Sequence, residues 1–251
     1  MLNDQDFMRY SRHLLLEDID ESGQQKLKQA RILIVGLGGL GSIAAQYLAG
    51  AGVGQLLLAD GDKVDVTNLH RQPLYDNFSL GANKARQAQK RLQAVNPNIR
   101  IEALDKKLHA DHLPALVSDC QLVLDCTDNM TSRQAINAAC YQAGKPLLVG
   151  AAIRFEGQFL ALHPHRNHGC YRCLYEPTQS PSLNCANSGI VGPVVGIIGL
   201  MQALEAIKFL TGAGQVPFGQ LKLFDAKAHQ WQSLTLAKAL QCPVCGDTLC
   251  N

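Results

Sequence analysis

The stretch "RILIVGLGGLG", residues 31–41, decides the fold. Ile32 to Val35 form an apolar run short enough for a buried strand, and glycines follow it at once. "IAAQYLAGAG" then continues with a helical pattern. In a strand–turn–helix unit of this kind, Gly36 allows the tight turn and Gly38 lets a phosphate approach the backbone, with Gly39 in the same turn. Gly41 lets the helix close on the strand. Phosphate charge is stabilised at such a helix N-terminus. A second apolar run, "QLLLAD", ends at Asp60, nineteen residues beyond Gly41, in place to accept from a ribose hydroxyl. The pattern predicts a nucleotide site; the competing reading is a glycine-rich packing turn.

Outward from this unit, helical and strand patterns alternate. Helical patterns cover residues 4–16 and 21–29 before the first strand. After Asp60 come a helix around 84–95, strand "RIEAL", a weaker helix near 110–117, strand "QLVLDC", helix "SRQAINAACYQAG" and strand "PLLVG". This alternation predicts an α/β, Rossmann-like, doubly wound and mostly parallel sheet. After Gly150 the pattern changes: "FEGQFLALH", "QLKLFDA" and "QWQSLTL" read as antiparallel strands. With no clear linker, residues 1–251 are expected to form a single domain.

Composition narrows the function. At 47% hydrophobic and 18% charged, 251 residues suffice for a large core. A net charge of +2 without a basic run argues against nucleic acid or an anionic membrane as partner. The start "MLNDQDFMRY" has no apolar signal core, so a cytoplasmic protein is expected. The apolar run 190–204 is fifteen residues and carries Gly192, Pro193, Gly196 and Gly199, which reads as a buried helix starting near Pro193.

The chemistry-bearing residues cluster after the strands. "DGDKVDVTNLHRQ" supplies Asn68 and Arg71, and Lys84 opens the next helix. Two cations converging on a triphosphate would stabilise transferred charge; Lys84 reads equally as a solvated helix residue. "LVLDCTDNMTSR" places Asp125, Asp128 and Asn129 at a strand end, where open α/β sheets bind ligands. Asp128 suits Mg²⁺ on a phosphate, or caps the following helix.

Nine cysteines without a secretion signal point to metal or catalysis over disulfides. "CYRC" (Cys170, Cys173) and "CPVC" (Cys242, Cys245) make a four-sulfur set suited to structural Zn²⁺, although 68 residues separate the pairs. Cys185 stands apart, at the end of an aperiodic segment of about 25 residues and just before a helix start. A helix dipole there would favour a thiolate nucleophile; the other reading is an ordinary small residue. Cys120, Cys126, Cys140 and Cys250 read as inert, and His163, His165 and His168 as a solvated loop.

Together, "RYSR", "GLGGLG", "NLHRQ", "CTDN", "GCYRC", "NC…G…GP", "QALEAIK" and "CPVCG" resemble the bacterial E1-like adenylyltransferases of the ThiF/MoeB/HesA family, over about residues 4–246. The resemblance implies adenylation, with ATP and Mg²⁺, of the C-terminal Gly-Gly of a ubiquitin-like sulfur carrier protein, followed by thiocarboxylate formation. It implies Asp60 at the ribose, Asn68, Arg71 and Lys84 at the triphosphate, and Asp128 at Mg²⁺. It implies Cys170, Cys173, Cys242 and Cys245 at zinc, Cys185 in sulfur or carrier linkage, and a sulfur-donor protein. Arg12 resembles an arginine lent to the neighbouring subunit, which implies a homodimer. His70 stands where the family usually has Gln. "DFMRYSR", "GPVVG" and "FDAKAHQWQSL" resemble the ThiF branch, whose carrier is ThiS in thiamin thiazole synthesis. "GAAIRFEGQ" resembles the MoeB branch, whose carrier is MoaD in molybdopterin synthesis. The readings outside this family are an NAD-dependent oxidoreductase, which has no use for Arg71, Lys84 or the four cysteines, and a noncatalytic zinc scaffold.

Overall fold

The computed structural model describes residues 1–175 and 189–246. The opening helical pattern divides at Tyr10 into α1 (Asp4–Arg9) and α2 (Ser11–Leu14), and α3 (Asp20–Gln29) follows. Asn3 and Asp6 close a reciprocal capping box at the start of α1. β1 (Arg31–Val35), α4 (Gly39–Ala51) and β2 (Gln55–Ala59) form the glycine-turn unit read from the sequence. Gly52 ends α4 in the left-handed conformation, with φ 84°.

The next elements are α5 (Lys84–Val95), β3 (Arg100–Leu104), α6 (Leu113–Ser118), β4 (Leu122–Asp125), α7 (Met130–Gln142) and β5 (Leu147–Ile153). Helix α6 starts later than the expected 110–117 because Pro114 takes its first turn, where the missing N–H costs nothing. β6 (Glu156–Leu162) turns the direction of the sheet. α8 (Tyr171–Leu174) is a short helix inside the segment read as aperiodic. α9 (Gly192–Thr211) begins with Pro193 in its first turn, as expected, and β7 (Gln220–Asp225) and β8 (Gln230–Thr235) close the fold.

All eight strands join one sheet in the order β3-β2-β1-β4-β5-β6-β7-β8. β3 through β5 are parallel, and β6, β7 and β8 extend the sheet antiparallel. The parallel strands are apolar on both faces because both are covered. Ile32, Ile34, Leu56 and Leu58 pack in one core layer with α4 and α9. Leu33, Val35, Leu57 and Val123 pack in the other with α6 and α7. Helix α9 is long and apolar enough to cross a membrane by length and composition, and its most apolar window is 50% buried within the protein. Chain order reverses at β1: β2 and β3 lie on one side, β4 and β5 on the other. Ligands of doubly wound sheets bind outside the strand ends at such a switch point.

Candidate active site at the sheet switch point

The loops after β1 and β4 meet there. Gly36 adopts φ 89°, and a Cβ on it would lie 2.7 Å from the Cys126 carbonyl oxygen, so only glycine fits. A Cβ at Gly41 would run into the Gly36 carbonyl oxygen, which is how α4 comes so close to β1. Gly38 is the N-cap of α4 and offers no side-chain cap. The first N–H groups of α4 therefore point outward with no side-chain acceptor at the cap, a site for phosphate oxygens.

Asp60 lies beside this turn. Its Oδ2 accepts from Leu37 N at 2.7 Å and its Oδ1 from Asp62 N at 2.8 Å. Burial pushes its carboxyl above the usual carboxylate range, against those two bonds. Each oxygen keeps a lone pair for a further donor. Tyr75, which the sequence reading missed, donates its hydroxyl to the Leu37 carbonyl at 2.8 Å and lies 3.4 Å from that of Lys84. Asn83, also missed, caps α5 by accepting from Arg86 N, and donates to the Asp60 carbonyl at 2.9 Å. An Asn directly before a helical pattern was the available signal for Asn83; Tyr75 gave none.

Two cations are carried by segments that border the same turn. Lys84 is 7% exposed at the first position of α5, with Asp62 as its ion-pair partner at 3.9 Å. Arg71 donates to the Thr67 carbonyl at 2.9 Å and contacts the His70 ring nitrogen at 2.8 Å. The Arg71 carbonyl lies 3.0 Å from where a Cβ of Gly39 would be, so this segment lies over the glycine turn. Asn68, half-buried, donates to Thr67 Oγ1 at 3.3 Å.

Asp128 is exposed after β4 and makes no hydrogen bond or ion pair to another described residue. It does not cap α7: Asn129 is the N-cap, accepting from Ser132 N at 2.9 Å. Behind it, the fully buried Asp125 accepts from Thr127 N and Oγ1 at 2.9 and 2.7 Å. Arg133 donates to the carbonyls of Thr127 and Gly150. Gln202 of α9, 0% exposed, donates to the Asp125 and Leu148 carbonyls at 3.0 and 3.1 Å. The strand end that carries Asp128 is thus held from both faces of the sheet.

The two CxxC pairs come together away from this loop. Cys170, Cys173, Cys242 and Cys245 place their sulfurs within 4.8 Å of one another. Cys170 and Cys242 lie 3.7 Å apart, and Cys173 and Cys245 3.3 Å. Tetrahedral zinc with bonds of about 2.3 Å sets sulfurs about 3.8 Å apart, so the set fits, and four thiolates close the shell. Cys120, Cys126 and Cys140 are buried, and burial pushes the Cys120 thiol up to about 11. His163 packs against Phe209 and Phe218, not as a solvated loop residue. Arg12 is exposed on α2 and makes no hydrogen bond or ion pair to another described residue. Cys185 and Cys250 lie outside the described residues.

Comparison with known proteins agrees with this geometry. Residues 10–244 match the sequence profile of the ThiF family. The sulfur carrier protein ThiS adenylyltransferase of Escherichia coli K12 is 52% identical over 247 residues, 98% of each chain. The molybdopterin-synthase adenylyltransferase of Salmonella typhimurium LT2 is 45% identical, over 98% of this chain and 99% of its own. The crystal structure of E. coli MccB shares the fold, with TM-score 0.83 at 23% identity, over 95% of this chain and 72% of that one. The chain belongs to the ThiF family.

Proposed function

We propose that the protein adenylates the C-terminal glycine of a ubiquitin-like sulfur carrier protein of the ThiS type. One observation carries the reading. A helix N-terminus without a side-chain cap opens at the sheet switch point, and the segments carrying Arg71, Lys84 and the exposed Asp128 border its glycine turn. The 52% identity to a ThiS adenylyltransferase supports the carrier type. A MoaD-type carrier is the second reading, supported by the 45% identity to a molybdopterin-synthase adenylyltransferase.

In this reading the amides of α4 receive phosphate oxygens of ATP, and Asp60 accepts from the ribose. Asn68, Arg71 and Lys84 hold the triphosphate, and Asp128 holds Mg²⁺. The metal would neutralise charge on the departing pyrophosphate. A carboxylate oxygen of the carrier attacks the α-phosphorus. The new P–O bond forms as the α–β phosphoanhydride breaks, and pyrophosphate leaves with the electron pair. No general base is needed, because a C-terminal carboxylate is already ionised at neutral pH. The protein's task is positioning and charge stabilisation.

The four cysteines hold zinc as a structural clasp. Cys185 acts after adenylation, with a sulfur-donor protein. The working unit is a cytoplasmic homodimer of single-domain chains, with Arg12 completing the partner's site. The apolar face formed by Tyr47, Ile197, Leu200, Met201, Leu204 and Ile207 supports pairing. The test is ATP–pyrophosphate exchange with each carrier type, read beside the carrier's intact mass. Exchange dependent on the ThiS-type carrier is expected; tight NADH binding without ATP binding would refute the proposal.

A further inference from the structure

We propose that α7 is a strut joining the four-cysteine cluster to the Asp128 loop, with Arg133 and Asn137 as its positioning residues. Only the activity arm of the test rests on the adenylation reading.

Asp128 and Asn129 directly precede α7, so the helix start sets the loop. Arg133, 8% exposed, donates to the carbonyls of Thr127 and Gly150. The same guanidinium lies beside Asp125 and the Tyr171 phenol. Asn137, 2% exposed, is one turn further on. Its Oδ1 accepts from Tyr171 N at 2.9 Å, and its Nδ2 donates to Cys170 Sγ at 3.5 Å. Between them, Gln134 donates to the Tyr175 carbonyl at 2.7 Å.

Residues 133, 134 and 137 share one side of α7, so α8 hangs on that side at several points. Cys173 lies in α8 and Cys170 is its N-cap. A buried amide and guanidinium are costly unless satisfied. Here Asn137 donates to the cluster, while Arg133, one turn away on the same side, donates to the loop after β4 and to β5. A donor to a metal-bound thiolate stabilises its charge and fixes its direction. The helix between the two ends is a continuous rigid element, so loosening α8 frees Tyr171, then Arg133, then the Thr127–Asp128 backbone. Simple core packing would not need polar groups at both ends.

The test uses full-length zinc-loaded protein. Zinc release to a colorimetric chelator is measured for Asn137→Asp, Asn137→Ser and Arg133→Lys, beside kcat and KM in ATP–pyrophosphate exchange. Release about tenfold faster is expected for all three, including Arg133→Lys, which touches no cysteine. For the Asn137 variants, kcat should fall about tenfold, with KM for ATP changed less than about twofold. Asn137→Ser, which adds no charge, carries the test if the aspartate does not fold. Wild-type zinc release from Arg133→Lys overturns the strut. Faster release from the Asn137 variants with unchanged kcat also overturns it, leaving a contact local to the cluster. If the wild type shows no exchange with any carrier, the adenylation reading fails, and the Arg133→Lys release rate still decides the strut.

Discussion

Lys84 sits where the fold offers a cation little support. It is 7% exposed, sits at the positive end of α5, and shares Asp62 with Lys107. A cation there opposes the helix dipole and loses hydration without a close partner. An anionic triphosphate would reverse that balance. Lys84→Met should therefore raise the unfolding free energy by about 1 kcal/mol while lowering the exchange rate about a hundredfold. Urea titration and pyrophosphate exchange on the same preparation read both; a joint loss would make the lysine structural. The position of Lys84 at a helix start was legible in "NKARQAQK", but its burial was not. The turn after β2 folds back on Lys84, with Asp62 bonded to its backbone N–H and paired with its ammonium, contacts no periodicity announces. The same holds for Gln202: one amide in an apolar run is visible, but the two carbonyls it serves belong to β4 and β5.

At the scale of elements, apolar runs gave the strands and α5 because both faces of the sheet are covered and α5 has a cap at one end and "NPN" at the other. The misses are local contests between near-equal choices. Asp128 and Asn129 are both good N-caps, and a one-residue shift in where α7 starts gave the role to Asn129. That leaves the Asp128 carboxylate outside the helix and available to a ligand. The short α8 escaped notice because a four-residue helix has no period to read; its CxxC spacing was the only trace. The cluster ties α8 to the last described turn of the chain, since Cys242 and Cys245 come from beyond β8. Stripping the metal, or Cys245→Ser, should lower the thermal midpoint and the metal content together; full stability with substoichiometric zinc would sink the four-sulfur assignment. Cys185, outside the described residues, belongs to the segment between α8 and α9. Adenylation requires phosphate positioning and not this thiol. Cys185→Ser should thus leave exchange near wild type and impair thiocarboxylate formation, read from the carrier's intact mass with a sulfur donor present. Loss of exchange would make it part of the ATP site, and an unchanged mass gain a bystander.

For the whole molecule, doubly wound topology was readable from the alternation of elements, and the antiparallel extension from the change of pattern after Gly150. A homodimer was expected only through the resemblance at Arg12, and the surface that would form it was not readable, because an interface is a property of folded surfaces. The exposed Tyr47 of α4 and Leu200 and Leu204 of α9 lie side by side only once those helices pack, and together they leave an apolar face on the outside. Arg12 poses the complementary problem: an exposed arginine that makes no hydrogen bond or ion pair to another described residue. Both observations are accounted for if a second copy covers the apolar face and each chain lends Arg12 to the other's nucleotide. A symmetric pair makes the idea testable by complementation. Arg12→Ala and Asp128→Ala should each be inactive alone. In a heterodimer of the two, one site carries both defects and the other carries neither. Co-expression with random pairing should then restore about a quarter of wild-type exchange, since half the dimers are mixed and half of their sites are intact. Size-exclusion chromatography would confirm that the pairs form. No recovery in a verified heterodimer would place Arg12 in its own chain's chemistry, and a monomer with full activity would remove the shared site altogether.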